Sequence, residues 1–266
     1  GGIIINGKAP ISGDKEDKSN TALAEINNKY PYGGNNAADN SGVMTYVSIC
    51  YAGARSTQDI EHNGLTLNGV GNGTTIENIY VLESADDAIE FFGGTVNVKN
   101  LLAVNPDDDM FDFTQGYCGT LSNCYGIWES DYTSTEADPR GIEADGNFDG
   151  LYPNHLRQSD FVVDGMTIVN NAANTTDNVD RMQDVIKIRR GAKATIKNAL
   201  VKGTGGAIDL VDMNDGKGAG NAASTISITN SLQLTGKKLN GEAVLNEAGS
   251  NTGADTSVFG WTKYNF

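Results

Sequence analysis

Among 266 residues the sequence has only 3 cysteines, 5 prolines and 2 histidines. Three cysteines cannot make a disulfide scaffold. Cys118 and Cys124 lie close enough to pair across one turn; the competing reading makes them, with Cys50, small buried residues. His62 and His155 are isolated from each other and do not form the ligand cluster of a zinc site. No stretch approaches the run of about 18 apolar residues that crosses a membrane as a helix. Basic residues are also scarce, with 19 Lys and Arg against 34 Asp and Glu for a net charge of −15. That balance excludes nucleic acid and anionic membrane surfaces as partners, because both need Lys and Arg. It favours a cation, or a neutral or cationic partner. No Ser–His–Asp grouping is visible. The glycine-rich GVGNGTT lacks the lysine and following helix of a phosphate loop. The chain opens on the strand-like GGIIING rather than on a Met or a signal peptide, so a targeting segment is expected to precede it.

Glycine is abundant, at 33 residues, alongside many Asn, Thr and Ser. This composition suits a turn-rich β structure. Residues 74–94 and 95–116 read TTIENIYVLESADDAIEFFGG and TVNVKNLLAVNPDDDMFDFTQG. Stacked at an offset of 22 residues, they place Asn78 over Asn100, Asp87 over Asp109, Glu90 over Asp112 and Phe91 over Phe113. A fixed period in which strands and turns both recur marks a solenoid. The rest of the chain fits the same frame as one domain of roughly 7–8 coils. Residues 1–40 hold a first strand and a polar loop, within which Ala22–Ile26 reads as a helical turn. Residues 41–240 are regular coils with insertions at 129–140 and 147–158, and residues 241–266 are expected to cap the open end. Asn78, Asn100, Asn123, Asn198 and Asn230 fall at one turn position, with Tyr46 and Gly165 there in two other coils. Asn tolerates the left-handed backbone of a tight turn, and a column of Asn can hydrogen-bond from coil to coil. The column is expected to have its side chains inside.

With this pattern the chain resembles the right-handed parallel β-helix proteins of the pectate-lyase-like superfamily. More narrowly, GLTLNGVGNGTTIENI, DDAIEFFGGTVNVKN, GIEADGNFDG and IKIRRGA are similar to a group of secreted β-helix lipoproteins of Gram-negative bacteria. The resemblance implies a three-strand coil, export to the outer-membrane surface or periplasm, and an N-terminal extension. It implies no catalytic residue.

The third strand of each coil reads LTL, IEF, FDF, IEA, IKI and IDL. Flanking residues point inward and the middle one outward, giving an external stripe of Thr66, Glu90, Asp112, Glu143, Lys187 and Asp209. Asp86–Asp87, Asp107–Asp109 and Asp184 come just before it. Coils stack about 4.8 Å apart, so such carboxylates need cations, basic partners or raised pKa values.

Three readings are open. In the first, Ca2+ is shared by Asp87, Asp109, Asp112 and Glu143, with a further candidate loop at Asp145, Asn147 and Asp149. That loop fits the front half of a DxNxDG motif, although Leu156 occupies the final acidic position. In the second, the stripe acts on an acidic glycan. The β-helix lyases that the chain resembles use calcium with a Lys or Arg base, which makes Lys187 and Arg189 candidates. Alternatively, Glu90 serves with Asp112, or with Glu143, as a hydrolase pair, since carboxylates about 5 Å apart suit retention and about 6.5–9.5 Å inversion. In the third, the acids are a solvated face that keeps the solenoid soluble. Trp128, Tyr132, Phe148 and Tyr152, in or beside the insertions, are candidate stacking platforms for a polysaccharide or else pack against the helix side. The leading expectation is a calcium-stabilised glycan-binding or adhesion-type module; the alternative is a lyase or glycoside hydrolase.

Overall fold

The computed structural model describes residues 1–53, 55–57, 60–173 and 182–266. Over these residues the chain winds as a right-handed parallel β-helix built on two long sheets. One sheet runs in the order Ile3–Asn6, Leu65–Asn68, Ile89–Phe92, Phe111–Thr114, Ile142–Asp145, Met182–Arg189, Gly206–Asp212 and Gln233–Leu234. We call it the acid sheet. The other stacks Val43–Cys50, Thr75–Leu82, Val98–Val104, Thr120–Trp128, Asp160–Asn170, Lys193–Lys202, Thr225–Asn230 and Val244–Glu247. We call it the bent sheet. Neighbouring strands within each are parallel. The pairing of Ile76 with Val98 and of Phe91 with Phe113 reproduces the 22-residue offset.

The bent sheet supplies two faces of each coil, because its long strands turn a corner at one residue. That residue is Tyr46, Asn78, Asn100, Asn123, Gly165 or Asn198, all at positive φ between 50° and 72°. Asn100 donates its amide to Asn78 Oδ1 at 2.9 Å, and Asn123 donates to Asn100 Oδ1 at 2.8 Å. The expected column therefore exists, with two corrections. Asn230 is not in it. The register shifts between Ile196 and Ala199, so the next strand passes the corner without a bend residue and Asn230 pairs with Val201. The column also faces outward. The amide of Asn198 meets Thr252 and Gly253, and that of Asn123 meets Asp255, all in the C-terminal segment.

That segment corrects the expected cap. Val244–Glu247 closes the end of the bent sheet, and the chain then runs back along its outside. Thr252 meets Asn198, Ala254 meets Thr167, Asp255 meets Asn123, and Trp261 packs edge-on against Tyr46 at 5.5 Å. The reason is an apolar strip on the outer face of the sheet: Leu102, Val104, Tyr125, Ile127 and Val169 form a second core that buries Phe259 completely. The main core lies inside the coils. In it Phe113 stacks with Phe91 at 5.1 Å and with Phe161 at 4.2 Å.

The N-terminal loop contains no helical turn at Ala22–Ile26. Thr21–Leu23 instead pairs antiparallel with Pro31–Gly33. This hairpin covers the acid sheet near Phe92 through Ile11, Ala22, Ala24 and Tyr32. The three cysteines are free thiols: Cys124 is buried, Cys118 partly so, and Cys50 is exposed rather than buried. Among the described residues no helix is long and apolar enough to cross a membrane.

Candidate functional site

The acid sheet places its outward residues in register. Thr66 pairs with Glu90, Glu90 with Asp112, Asp112 with Glu143, and Glu143 with Lys187. The next partner of Lys187 is Asp212, not Asp209; Asp209 lies opposite Asp184. Both IDL and VDM read as apolar–acid–apolar, and only the pairing distinguishes them. With this correction a second stripe appears three residues upstream of the first: Asn63, Asp87, Asp109, Arg140, Asp184 and Asp209.

Between the two stripes lies a cavity of about 210 Å³ lined by Glu25, Asp86, Asp87, Glu90, Asp108, Asp109, Asp112 and Glu143. Every lining residue is acidic. Glu25 reaches it from the loop beyond the N-terminal hairpin strand, a contribution that sequence reading missed. The same triad of ligand atoms repeats one coil apart. Asp87, Glu90 and Asp112 form one set, and Asp109, Asp112 and Glu143 the next; within each, the oxygens lie within 4.8 Å of one another. Oxygens so spaced can all reach one Ca2+, whose bonds are about 2.3–2.6 Å.

Some oxygens are already engaged. Asp87 Oδ1 accepts the Asp109 backbone N–H at 2.9 Å, and Glu90 Oε2 accepts the Asn63 amide at 2.6 Å. Others are not. Oδ1 of Asp109 and Oδ1 of Asp112 are buried without a hydrogen-bond partner, and Asp109 is only 2% exposed. A buried polar atom without a partner costs about 1–3 kcal/mol, and more when charged. Loss of hydration, then repulsion from Asp86 and the neighbouring acids, holds Asp87 well above the usual carboxylate range. Burial followed by Asp112 does the same to Glu90, burial and Asp108 to Asp109, and burial and Glu143 to Asp112. A divalent ion would remove both the repulsion and the orphaned atoms, so the residues present fit one.

Further along the stripes the protein supplies its own cations. Arg140 and Arg189 both pair with Glu143. Lys187 pairs with Asp212 and reaches Asp184 at 3.6 Å. Arg140, which sequence reading left as a loop boundary, takes the place held by Asp87 and Asp109 in the two preceding coils. Its spacing of three residues before Glu143 was the available signal. The candidate bases Lys187 and Arg189 are therefore committed to ion pairs.

The loop at Asp145, Asn147 and Asp149 does not gather around a common centre. Asp145 is clamped by Arg189 and Arg190 at 2.6 Å each. Asp149 is paired with Arg190 and Lys217. Asn147 Oδ1 accepts the Tyr152 backbone N–H. Nor do the four candidate aromatics form a platform. Trp128 is buried, at 1% exposure, and donates its indole N–H to Pro106. Tyr132 packs against the main core and donates to Asp107. Phe148 and Tyr152 are partly buried neighbours with ring centres 6.3 Å apart, and Tyr152 donates to the Asp14 carbonyl.

The description of one protein family, pectate-lyase like beta helix domain, matches residues 1–263. The chain belongs to that family. No curated protein and no solved structure matches the chain.

Proposed function

We propose that this pectate-lyase-like β-helix is an exported divalent-cation module, with calcium the fitting ion, and that its loaded acid face engages glycans at the cell surface or in the periplasm. One observation carries the reading. The Asp109 and Asp112 oxygens are buried without partners in an all-acid trough, whereas the coils beyond fill the equivalent places with Arg140 and Lys187. An exported chain would meet enough of the ion, because calcium sites of extracellular modules work at about 10⁻⁴–10⁻³ M. A bound ion with open coordination positions would take sugar hydroxyls or carboxylates of a polysaccharide.

Chelation by EDTA tests this. A ligand at about a hundredfold excess over Kd stabilises the folded state by about 2.7 kcal/mol. EDTA should therefore lower Tm by about 5–10 °C for a domain of this size. Asp112→Asn should remove the response while leaving the chelated protein at least as stable. If EDTA and added calcium both leave Tm unchanged, the trough is a solvated face and the reading fails.

Hydrolysis is a second reading. It is supported by Glu90 and Asp112, adjacent carboxylates held above their usual range. Release of reducing ends from acidic polysaccharides, lost in Glu90→Gln, would establish it.

A further inference from the structure

A second cavity, of about 550 Å³, lies on the outside of the bent sheet, where the C-terminal segment returns across the ends of three successive strands. This face is separate from the acid trough. Tyr125, Ile127 and Val169 line it from the sheet, and Tyr264 and Phe266 from the segment. The rings brace one another: Phe266 meets Tyr125 at 5.0 Å and Tyr264 at 5.1 Å, both edge-on. Tyr264 donates its hydroxyl to Glu129 Oε1 at 2.9 Å, which anchors that wall to the coil. Phe266 remains 49% exposed. Glu129, Asp131, Asn171 and Lys202 are polar lining groups. Asp131 and Lys202 are exposed, and neither has an ion-pair partner among the described residues.

We propose that this cavity binds the ring of a neutral sugar, without a metal ion. The volume falls within the usual range for small-ligand sites, about 300–1,000 Å³. Aromatic and aliphatic side chains in the lining suit the C–H face of a pyranose. Charges of both signs suit a ring of hydroxyls, which donate and accept. A wholly apolar ligand would leave the polar groups of the lining without partners from the ligand. A ligand with a single charge would be attracted by one of Asp131 and Lys202 and repelled by the other, so it gains nothing over a neutral one. A neutral polyhydroxylated ring can donate to Asp131 and Glu129 and accept from Lys202, while its C–H face packs on the apolar wall. The proposal does not depend on the cation reading of the acid trough.

Saturation-transfer NMR with cellobiose, maltose and lactose, each at about 10 mM and in EDTA, tests it. At least one disaccharide should receive magnetisation from the protein. Phe266→Ala and Asp131→Ala, both exposed positions, should each weaken binding about tenfold or more, while Asp112→Asn leaves it unchanged. No transfer to any of the three sugars would overturn the proposal, as would equal binding by Phe266→Ala. Loss of binding in EDTA or in Asp112→Asn would also overturn it, since the sugar would then lie in the acid trough.

Discussion

At the residue scale, Asn100 carries two separable duties. It sits at φ 59°, a conformation that costs most L residues about 1–2 kcal/mol. It also accepts one amide bond and donates another within the column. Asn100→Gly keeps the corner but removes the bonds, whereas Asn100→Ala removes both. We expect chemical denaturation to show a loss of about 1–3 kcal/mol for the glycine variant and a further 1 kcal/mol or so for alanine. Equal losses would mean that the backbone conformation contributes nothing. Lys187 is the other informative residue. It neutralises Asp212 and Asp184, whose carboxyl is pushed up to about 6, chiefly by burial. Lys187→Gln should destabilise by about 3–5 kcal/mol, as expected when one partner of a buried pair is removed. If an ion can replace the ammonium, millimolar calcium should restore part of that loss. A calcium-insensitive loss would show that the geometry there admits only the side chain.

At the scale of the element, the acid sheet predicts how stability changes with pH. Asp87, Glu90, Asp109 and Asp112 have carboxyl pKa values raised on folding. The folded state therefore binds more protons than the unfolded state between the raised values and the ordinary ones near 4. Stability falls with pH across that window, so acidification stabilises the ion-free protein. In EDTA, Tm should climb as the pH is lowered from the raised values toward the ordinary carboxylate range and stop climbing near pH 4, where the unfolded carboxylates also protonate. In calcium the slope should reverse, because the ion needs the ionised form. A falling Tm on mild acidification in EDTA would count against the raised values. The sheet also explains why its acids are tolerated. Arginine and lysine enter the stripes where Glu143 and Asp212 would otherwise extend the repulsion.

At the scale of the whole molecule, the C-terminal segment works as a lateral strap. The coils have their own core, while the strap covers the outer apolar strip with Phe259 and pins the Asn column. Deleting residues 252–266 should leave the far-ultraviolet dichroism of the parallel sheets largely intact. It should expose Leu102, Val104 and Ile127, so sedimentation should show self-association at concentrations where the full chain is a single species. Complete loss of the β signal would mean that the strap is part of the folding unit.

The amino-acid sequence by itself determined the solenoid, the 22-residue offset, the Asn column from Asn78 to Asn123 and the pairing of Glu90 with Asp112. All of these are local. A parallel coil places each residue above the one a full turn earlier, so a repeat in the sequence is a neighbour in space. Alternation also told inside from outside for Phe91, Glu90, Phe113 and Asp112. What depended on pairing between distant segments was decided only by the tertiary structure. Asp212 replaced Asp209 because two windows three residues apart have the same apolar–acid–apolar pattern. Asn230 left the column because the last strand skips the corner residue. Arg140 entered the stripe from the end of an insertion whose length hides the period. Trp128 proved buried and Phe266 half exposed because the fate of an aromatic depends on what covers it. The unbroken apolar run Leu101–Val104 hinted that both faces of that strand are covered, but no local rule says which segment covers the outer one. That choice follows from complementarity between surfaces more than a hundred residues apart, and such complementarity exists only once the chain has folded.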